Sequence, residues 1–501
     1  MQQPFDADEV IHQLKHYLPA QQALKDFIHH NSLHAFQHQK FYDGIFKASR
    51  IFGFQVHLQL GEYREMYQTG RIREDVVERV IEWRKGKKEM ISWKEKMLLQ
   101  GYNPVFEPRI GKLRARWKQF YGIDLDNRVH PLLFRILCSF LDQGIALKEL
   151  PVVNRSFTTT IRELESKSFV SFFNTRKVRQ LFISGDYTID GLLKQVAGDE
   201  AYFEQYLFDQ QFAHHGWSGF VSAAEDNPQT LPDRKQITLR ELVEFELLLE
   251  LDALYKELGN AWKPLTTHIA EAPADLFAPV PQTEFTEVIA CWQTAFEWSY
   301  YDSVLRGMLM AKPKPVPEQK SLQAIFCIDE REDSIRRHIE AVDKQAETFG
   351  APGFFGVEFY FQQQGSKFYD KLCPAPVTPK FLIKESEAST VHQNDLIYTK
   401  YTHGIVSGFF LSIGFGFWAL AKKLQLLFRP KMSPAISNAY GHMDKKSRLS
   451  IENQDPAHIE NGLQIGYTVE EMTARAEAFL RGIGLIKDFA PLVYIVAHGS
   501  S

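Results

Sequence analysis

Helical periodicity dominates the first three hundred residues. In ITLRELVEFELLLELDALYKEL, apolar positions recur at helical intervals, and Thr238 and Glu241 have the spacing of a capping box. REDVVERVIEWRKGKKEMISWKEK is amphipathic, and its charged face is expected to lie in solvent. These patterns predict a large, mainly helical N-terminal region over residues 1–310.

A proline-rich stretch follows this helical region. AKPKPVPEQK, residues 311–320, carries prolines at alternate positions. Because proline fixes the backbone in an extended form, the stretch should be stiff and should connect two parts of the chain. We therefore predict a linker at 311–320 and a second domain over residues 321–501.

Strand and helix patterns alternate in that second domain. LQAIFCI is a strand candidate, and a helix signal follows it directly. TVEEMTARAEAFLRGIGL is a helix that begins with a capping box of Thr468 and Glu471. PLVYIVAHGSS is predicted to be a buried strand that ends in His498. This alternation is typical of an α/β fold with a parallel sheet.

One segment is apolar enough to raise the question of a membrane. GIVSGFFLSIGFGFWALA, residues 404–421, has no charge over 18 residues, which is the lower limit for a spanning helix. Gly404, Gly408, Ser412 and Gly416 fall four apart, as in closely packed helices. We favour a buried or interfacial helix; a membrane span and docking onto a membrane protein or bilayer surface remain open.

Composition narrows the class of protein. The chain has 501 residues and a net charge of −4, which argues against a nucleic-acid binder. Its four cysteines lie far apart, so we expect a reducing compartment and no disulfide framework. The first residues, MQQPFDADEV, lack the apolar core of a secretory signal.

The candidate chemistry lies in AIFCIDEREDSIRRHIE. Cys327 ends a strand and precedes a helix, whose dipole favours the thiolate form. Open α/β sheets place ligands at this end of their strands. If the strand that ends in His498 is a neighbour, Cys327 and His498 converge, and with Asp329 they make a plausible zinc set.

Other interpretations of these residues remain open. Asp329 and Glu332 also fit a helix capping box, and Cys327 could be a small buried apolar residue. HGSS could be a plain terminal turn. A rival metal cluster is the histidine stripe His30, His34 and His38, spaced four apart on one predicted helical face, although a polar face or an interface is favoured there.

Several blocks together resemble the DabA family, the soluble subunits of bacterial inorganic-carbon transporters. In chain order they are FCIDERE with SIRRH, GAPGFFGVEF, CPAPVTP, GYTVEEM with RAEAFLRGIGL, and VYIVAHGSS. The N-terminal DFIHHNSLHAFQH is also similar to the start of that family, so the resemblance spans essentially the whole chain.

The resemblance implies a core similar to β-carbonic anhydrase, with zinc held by two cysteines and a histidine beside an Asp–Arg pair. Matched by motif, Cys327 and His498 would be zinc ligands, and Asp329 would either bind zinc or pair with Arg331. With Asp329 held by Arg331, a zinc position is open to water, whose pKa falls to about 7, and CO2 is hydrated to bicarbonate. With Asp329 on zinc, the site is closed.

The resemblance also implies partners and a location. The expected partner is DabB, an integral membrane subunit similar to the proton-conducting subunits of respiratory complex I. The complex would lie peripherally on the cytoplasmic side of the cell inner membrane. An ion gradient through the partner would drive CO2 hydration in one direction.

One departure from the family concerns the fourth zinc ligand. The family continues into a glycine-rich block that carries the second cysteine, whereas this chain ends at Ser501. We therefore expect the chain to be the N-terminal part of a longer protein with an incomplete core, and the fourth ligand to lie beyond residue 501. The alternatives are a non-catalytic fragment that only binds the membrane partner, or a zinc-dependent hydrolase.

Overall fold

The structure is a computed structural model of the chain. Within the ranges that it describes, the side chains of Glu330, Arg331 and several residues of 405–428 are not described. The described residues are 4–19, 33–103, 107–142, 150, 156–228, 231, 235–311, 319–352, 358–364, 369–373, 377–386, 401, 405–428, 448–453, 455 and 457–496.

Two compact units divide these residues. The first holds the described residues up to Ala311, apart from Asp142, and the second holds those from Gln319 onward. Residues 312–318 of the predicted linker lie outside the described part of the chain. The predicted linker and domain limits therefore stay predictions.

The first unit is helical, as its periodicity predicts. Its α-helices are α1 (Ala7–Tyr17), α2 (Phe41–Phe52), α3 (Leu60–Gln68), α4 (Glu74–Lys85), α5 (Met90–Leu99), α6 (Lys112–Tyr121), α7 (Leu125–Phe140), α8 (Phe157–Lys167), α9 (Arg176–Ser184), α10 (Ile189–Val196), α11 (Phe203–Phe212), α12 (His215–Asp226), α13 (Leu239–Leu258) and α14 (Glu284–Met310). Short 3-10 turns cover His34–Phe36, Lys87–Glu89, Glu200–Tyr202 and Leu265–His268.

Helix α13 is the centre of this unit. Its predicted capping box is present, since Glu241 N donates to Thr238 Oγ1 at 3.1 Å and Thr238 N donates to Glu241 Oε2 at 3.0 Å. Its residues from Leu239 to Leu254 are nearly all buried, and α1, α7, α8, α9, α10 and α12 pack around it. A helix that is covered on all sides has no solvent face, so its charged residues must find partners inside the protein.

A smaller apolar cluster holds the other helices of the unit together. Trp292 of α14 is fully buried among residues of α3, α4 and α5, and its ring stacks on that of Tyr63 at a centroid distance of 6.1 Å. The predicted amphipathic segment forms two helices, α4 and α5, because the chain turns at Gly86, which has a φ of +90°. Such a φ favours glycine.

The second unit contains two sheets and three helices among its described residues. The helices are α15 (Glu330–Val342), α16 (Ile405–Phe428) and α17 (Val469–Gly482). The strands are β1 (Leu322–Phe326), β2 (Ala346–Gly350), β3 (Phe359–Gln362), β4 (Asp370–Leu372), β5 (Phe381–Ser386), β6 (Arg448–Leu449), β7 (Ile459–Glu460), β8 (Leu463–Ile465) and β9 (Val493–Ile495).

The first sheet is parallel, as predicted, with the strand order β2-β1-β9. The second sheet is mixed: it has the order β4-β3-β5-β8-β7, and β6 pairs with β5. Its core joins Phe381, Ile383 and Tyr467. The sequence predicts the parallel sheet but not the mixed one, most of whose strands are too short for a clear alternation of apolar and polar residues. The likeness to a carbonic anhydrase core stays a prediction.

The burial predicted for the last strand is wrong. All three residues of β9 are exposed, and Ile495 is 73% exposed. The reason is its position, because β9 is the edge of the three-stranded sheet in the described part of the chain. Apolar composition predicts that a strand is covered, but it does not tell which part of a protein covers it.

Helix α16 also exposes apolar side chains, so the structure does not bury it within this chain. Phe417 is 92% exposed, and Phe410 and Ile413 are 67% and 69% exposed. Gly408 is buried. Among the helices in the described ranges, none has the length and apolar character needed to cross a membrane.

Candidate metal centres

The first candidate centre lies where β1 and β9 end. The two strands are parallel neighbours, with Ala324 opposite Tyr494 and Ile325 opposite Ile495. Val496 N donates to Ile325 O at 2.9 Å, which extends the pairing by one step. The strand before Cys327 and the strand before His498 are therefore neighbours, and their carboxyl ends lie side by side.

A buried glutamine fixes how the chain enters β9. Gln323 is fully buried; its side chain donates to Glu347 Oε2 at 2.7 Å and accepts from Ala490 N at 2.9 Å. Its backbone N also donates to Leu492 O at 2.9 Å. Two of these bonds set the register of β9 and the third joins β1 to β2, so a register slip would leave a buried amide without partners.

Cys327 and Asp329 follow β1 directly and are both partly buried. Helix α15 begins at Glu330, so Asp329 occupies its N-cap position, and Glu332 N donates to Asp329 O at 3.0 Å. The structure therefore brings these two predicted residues to the strand end. The Arg331 side chain and His498 lie outside the described residues, and the convergence of the full set stays a prediction.

Helix α15 is attached to β2 on the other side of this turn. The Arg336 guanidinium donates to Thr348 Oγ1 at 3.2 Å and to Thr348 O at 3.3 Å. Gly350 makes room for it, since a Cβ there would lie 2.6 Å from the guanidinium. These contacts hold the middle of α15 against β2.

The second candidate centre is inside the first unit and was not predicted from the sequence. His130 of α7, His214 just before α12 and Glu246 of α13 each offer a ligand atom, and these atoms lie within 4.8 Å of one another. His214 Nε2 is 2.8 Å from Glu246 Oε2, and His130 Nε2 is 3.6 Å from Glu246 Oε1. Glu246 is fully buried and His214 nearly so.

A buried arginine adjoins this centre. Arg114 of α6 donates to Glu250 Oε1 from Nε at 3.0 Å and from Nη2 at 2.8 Å, and it also pairs with Asp126. Its Nη2 is 3.8 Å from Glu246 Oε1. Tyr206 Oη donates to Glu250 Oε2 at 2.7 Å. Five ionisable or polar side chains from four helices therefore meet around α13.

The environment shifts the pKa values of these groups in opposite directions. Burial alone would raise the pKa of Glu246, but His214, His130 and Arg114 outweigh it, so that pKa lies below its usual range. Burial raises the pKa of Tyr206 well above its ordinary value, and the neighbouring Glu250 adds to the effect. Glu246 is thus held as a carboxylate and Tyr206 as a neutral donor.

This second centre had only a weak signal in the sequence. His130, His214 and Glu246 are far apart along the chain and lie in no short motif. The signal was the pair Glu246 and Glu250, which share one helical face within residues 245–251, where every other position is apolar. Carboxylates in such a stretch predict buried partners rather than solvent.

The histidine stripe predicted near the N-terminus is wrong as a helical face. His34 lies in a 3-10 turn, His34–Phe36, and His38 lies after that turn and before α2. The two rings therefore do not share a helical face. His30 lies outside the described residues.

Comparison with known proteins places the chain in a family. It belongs to the DabA family, whose model, described as probable inorganic carbon transporter subunit DabA, matches residues 11–501. Two similar relatives carry that same description. The protein from Nitrosospira multiformis is 48% identical over 99% of this chain, and the one from Azotobacter vinelandii is 47% identical over 99%.

The chain spans 55% of the length of the first of these relatives and 59% of the second. A more distant relative of the same description, from Dechloromonas aromatica, is 23% identical over 98% of this chain and 66% of its own length. No solved structure matches the chain.

Arg114→Met should lower the free energy of unfolding by about 3–5 kcal/mol, because it leaves Glu250 and Glu246 buried with less compensating charge. Chemical denaturation followed by tryptophan fluorescence measures this, since seven of the eight tryptophans lie in the first unit. The matched control is Arg116→Met on the same helix, where the pair with Glu271 is largely exposed and about 0–1 kcal/mol is expected.

A double-mutant cycle tests whether the loss of stability comes from the ion pair between Arg114 and Glu250. In the Arg114→Met/Glu250→Gln variant, the loss should be smaller than the sum of the two single losses, because the neutral amide no longer needs the guanidinium. Strictly additive losses would show that Arg114 stabilises the helices by packing alone.

Proposed function

We propose that this chain acts in inorganic carbon transport as the zinc-binding subunit of an energy-coupled pump. It would hydrate CO2 to bicarbonate in one direction, together with a DabB-like membrane subunit that conducts protons or other cations. Membership of the DabA family supports this proposal. The observation that carries it is the parallel pairing of β1 with β9, which takes the strand before Cys327 and the strand before His498 to one sheet edge.

The residues at that edge suit zinc. A thiolate from Cys327, an imidazole from His498 and a carboxylate from Asp329 belong to the donor types that zinc prefers. A further cysteine would come from beyond residue 501. When bound, zinc would supply a Lewis acid that lowers the pKa of water to about 7.

Asp329 and Arg331 would control access to the site. Asp329 lies two residues after Cys327, close enough to turn toward the same centre or toward the guanidinium of Arg331. A charge-assisted pair with Arg331 would withdraw the carboxylate and leave a ligand position for substrate water.

A second candidate function is binding without catalysis, in which the chain only associates with the membrane subunit. The exposed apolar side of α16 favours association of this kind, since isolated soluble proteins rarely expose a large contiguous apolar surface. In either case, we propose that the chain lies peripherally on the cytoplasmic side of the inner membrane, with α16 toward the membrane partner.

Cys327→Ser should lower the zinc content by about one ion per chain, because serine is a poor zinc ligand. Metal analysis of the purified protein measures this, both for this chain and for a full-length family member. Cys373→Ser is the matched control: its thiol is also partly buried, but it donates to Val377 O at 3.5 Å within its own loop. An unchanged zinc content after both Cys327→Ser and His498→Ala would contradict the ligand assignment.

Arg331→Ala should leave a folded, zinc-loaded protein that no longer supports bicarbonate accumulation in cells, because Asp329 would then close the site. Arg337→Ala, on the same helix, is the control. Accumulation at the wild-type level in Arg331→Ala cells that make the membrane partner would refute the gating role.

Phe410→Glu combined with Phe417→Glu should abolish co-purification with the membrane subunit, because charge on α16 opposes burial in an apolar interface. Phe169→Glu is the control, since that ring is fully exposed in the first unit. Undiminished association of the doubly substituted protein would exclude α16 as the contact.

A further inference from the structure

We propose that His130, His214 and Glu246 form a second divalent-metal site, separate from the sheet-edge centre and selective for transition metals such as Zn2+. Two imidazoles and one carboxylate are a known zinc donor set that leaves one position open.

The tautomer of His214 follows from its neighbour Ser218. The Ser218 hydroxyl donates to Gln211 O at 3.0 Å and Gln211 Oε1 at 2.8 Å, and it lies 3.0 Å from His214 Nδ1. Both Gln211 atoms are acceptors, so they take the single hydroxyl proton, and His214 Nδ1 must donate to Ser218 Oγ. A neutral His214 therefore presents the lone pair of Nε2 to Glu246.

That lone pair faces a carboxylate oxygen at only 2.8 Å. Two lone pairs at this distance repel each other unless a proton or a metal ion lies between the groups. An extra proton on His214 would satisfy this one contact. It would give no partner to His130 Nε2 or to Glu246 Oε1, so these two atoms distinguish a proton from a metal ion.

His130 Nε2 and Glu246 Oε1 are buried and, among the described residues, have no hydrogen-bond partner. They lie 3.6 Å apart, and His130 Nε2 is 3.5 Å from Asp126 Oδ1. Ligand atoms around a tetrahedral zinc are separated by about 3.3 Å, given bonds of about 2.0–2.1 Å. One ion near the three side chains would therefore satisfy both orphaned atoms and the His214 lone pair together.

The charge balance also favours a dication. Around the cluster, Arg114 offers one positive charge against the carboxylates of Glu246, Glu250 and Asp126. Glu250 and Asp126 engage the guanidinium directly, so its repulsion of a further cation is reduced. The two fully buried carboxylates and Arg114 leave one negative charge, and the partly exposed Asp126 adds a second, so a dication would balance the whole group.

The surroundings hold these ligands in place. Gln211 Nε2 donates to Glu246 Oε2 at 3.0 Å, and the bond from His214 Nδ1 to Ser218 orients that ring, as outer hydrogen bonds do in established metal sites. A cavity of about 370 Å³ is lined in part by Arg114 and Asp126. Asp126 Oδ1 is 3.5 Å from His130 Nε2, so the cavity reaches a neighbour of the cluster.

The test uses the full chain with the sheet-edge centre removed by Cys327→Ser/His498→Ala. After treatment with a chelator, this background protein is titrated with Co2+, and bound metal is measured by elemental analysis and by the visible absorption of low-symmetry Co2+. About one tightly bound ion per chain is expected. Binding of less than a tenth of an ion would overturn the proposal, and it would not affect the proposed function at Cys327.

Two ligand variants in the same background test whether the proposed side chains hold the bound ion. Glu246→Gln and His130→Asn should each weaken Co2+ binding more than ten-fold, and Ser218→Ala, which frees the His214 ring, about ten-fold or more. His130→Asn is the gentler change, because His130 Nε2 has no hydrogen bond to lose within the described structure. Thermal unfolding confirms that each variant folds.

The matched control is His16→Asn on α1. His12 and His16 are exposed and one helical turn apart, with ring centroids 5.0 Å apart, so they are a plausible surface site for adventitious metal. Binding that survives His16→Asn and is lost in His130→Asn supports the buried site. Binding that is lost in His16→Asn and kept in both ligand variants overturns it.

Discussion

Glu246, Glu250 and Asp252 place negative charge in the middle of α13, where residues 245–254 are all buried. Burying a carboxylate without partners is very unfavourable, so the helices around α13 must supply donors at fixed positions. Asp252 accepts from Asn174 N at 2.8 Å and from Thr175 N at 2.8 Å, at the start of α9. One helix thus fixes the placement of its neighbours through its acidic residues as well as through its apolar ones.

The sequence could predict α13 but not its surroundings. The capping box of Thr238 and Glu241 and the apolar repeat are local signals, and both are confirmed. Helical periodicity predicts the helix itself but not which of its acidic residues are buried. Burial on every side depends on six other helices, and the partners of Glu246 and Glu250 come from distant parts of the chain. No local pattern records such contacts, so the metal-ligand cluster could not be predicted in the same way.

In the second unit, too, the sequence predicts local elements but not what covers them. The strand, turn and helix around Cys327 were predicted because each has a local signature, and the pairing of β1 with β9 agrees with the convergence expected from the two strand ends. The exposure of β9 was not expected, and that of α16 fits the interfacial alternative rather than the buried one, because apolar composition predicts that a surface is covered and does not identify the covering group. For a chain that spans a little over half the length of its relatives, that group need not belong to the sequence in hand.

Two buried carboxylates near Arg114 respond to acid in opposite ways. Burial raises the pKa of Asp209 to about 6, although Gly111 N and Arg114 N donate to it at 2.6 and 3.0 Å. Its ionisation therefore opposes folding as the pH rises from about 4 toward 6. The pKa of Glu246 is lowered, so its ion pairs stabilise the fold above its ordinary pKa and are lost only as the pH falls below it. On acidification Asp209 loses its charge first and Glu246 last. The charge that would hold a cation thus weakens in steps, while the carboxylate that would bind it directly stays ionised longest.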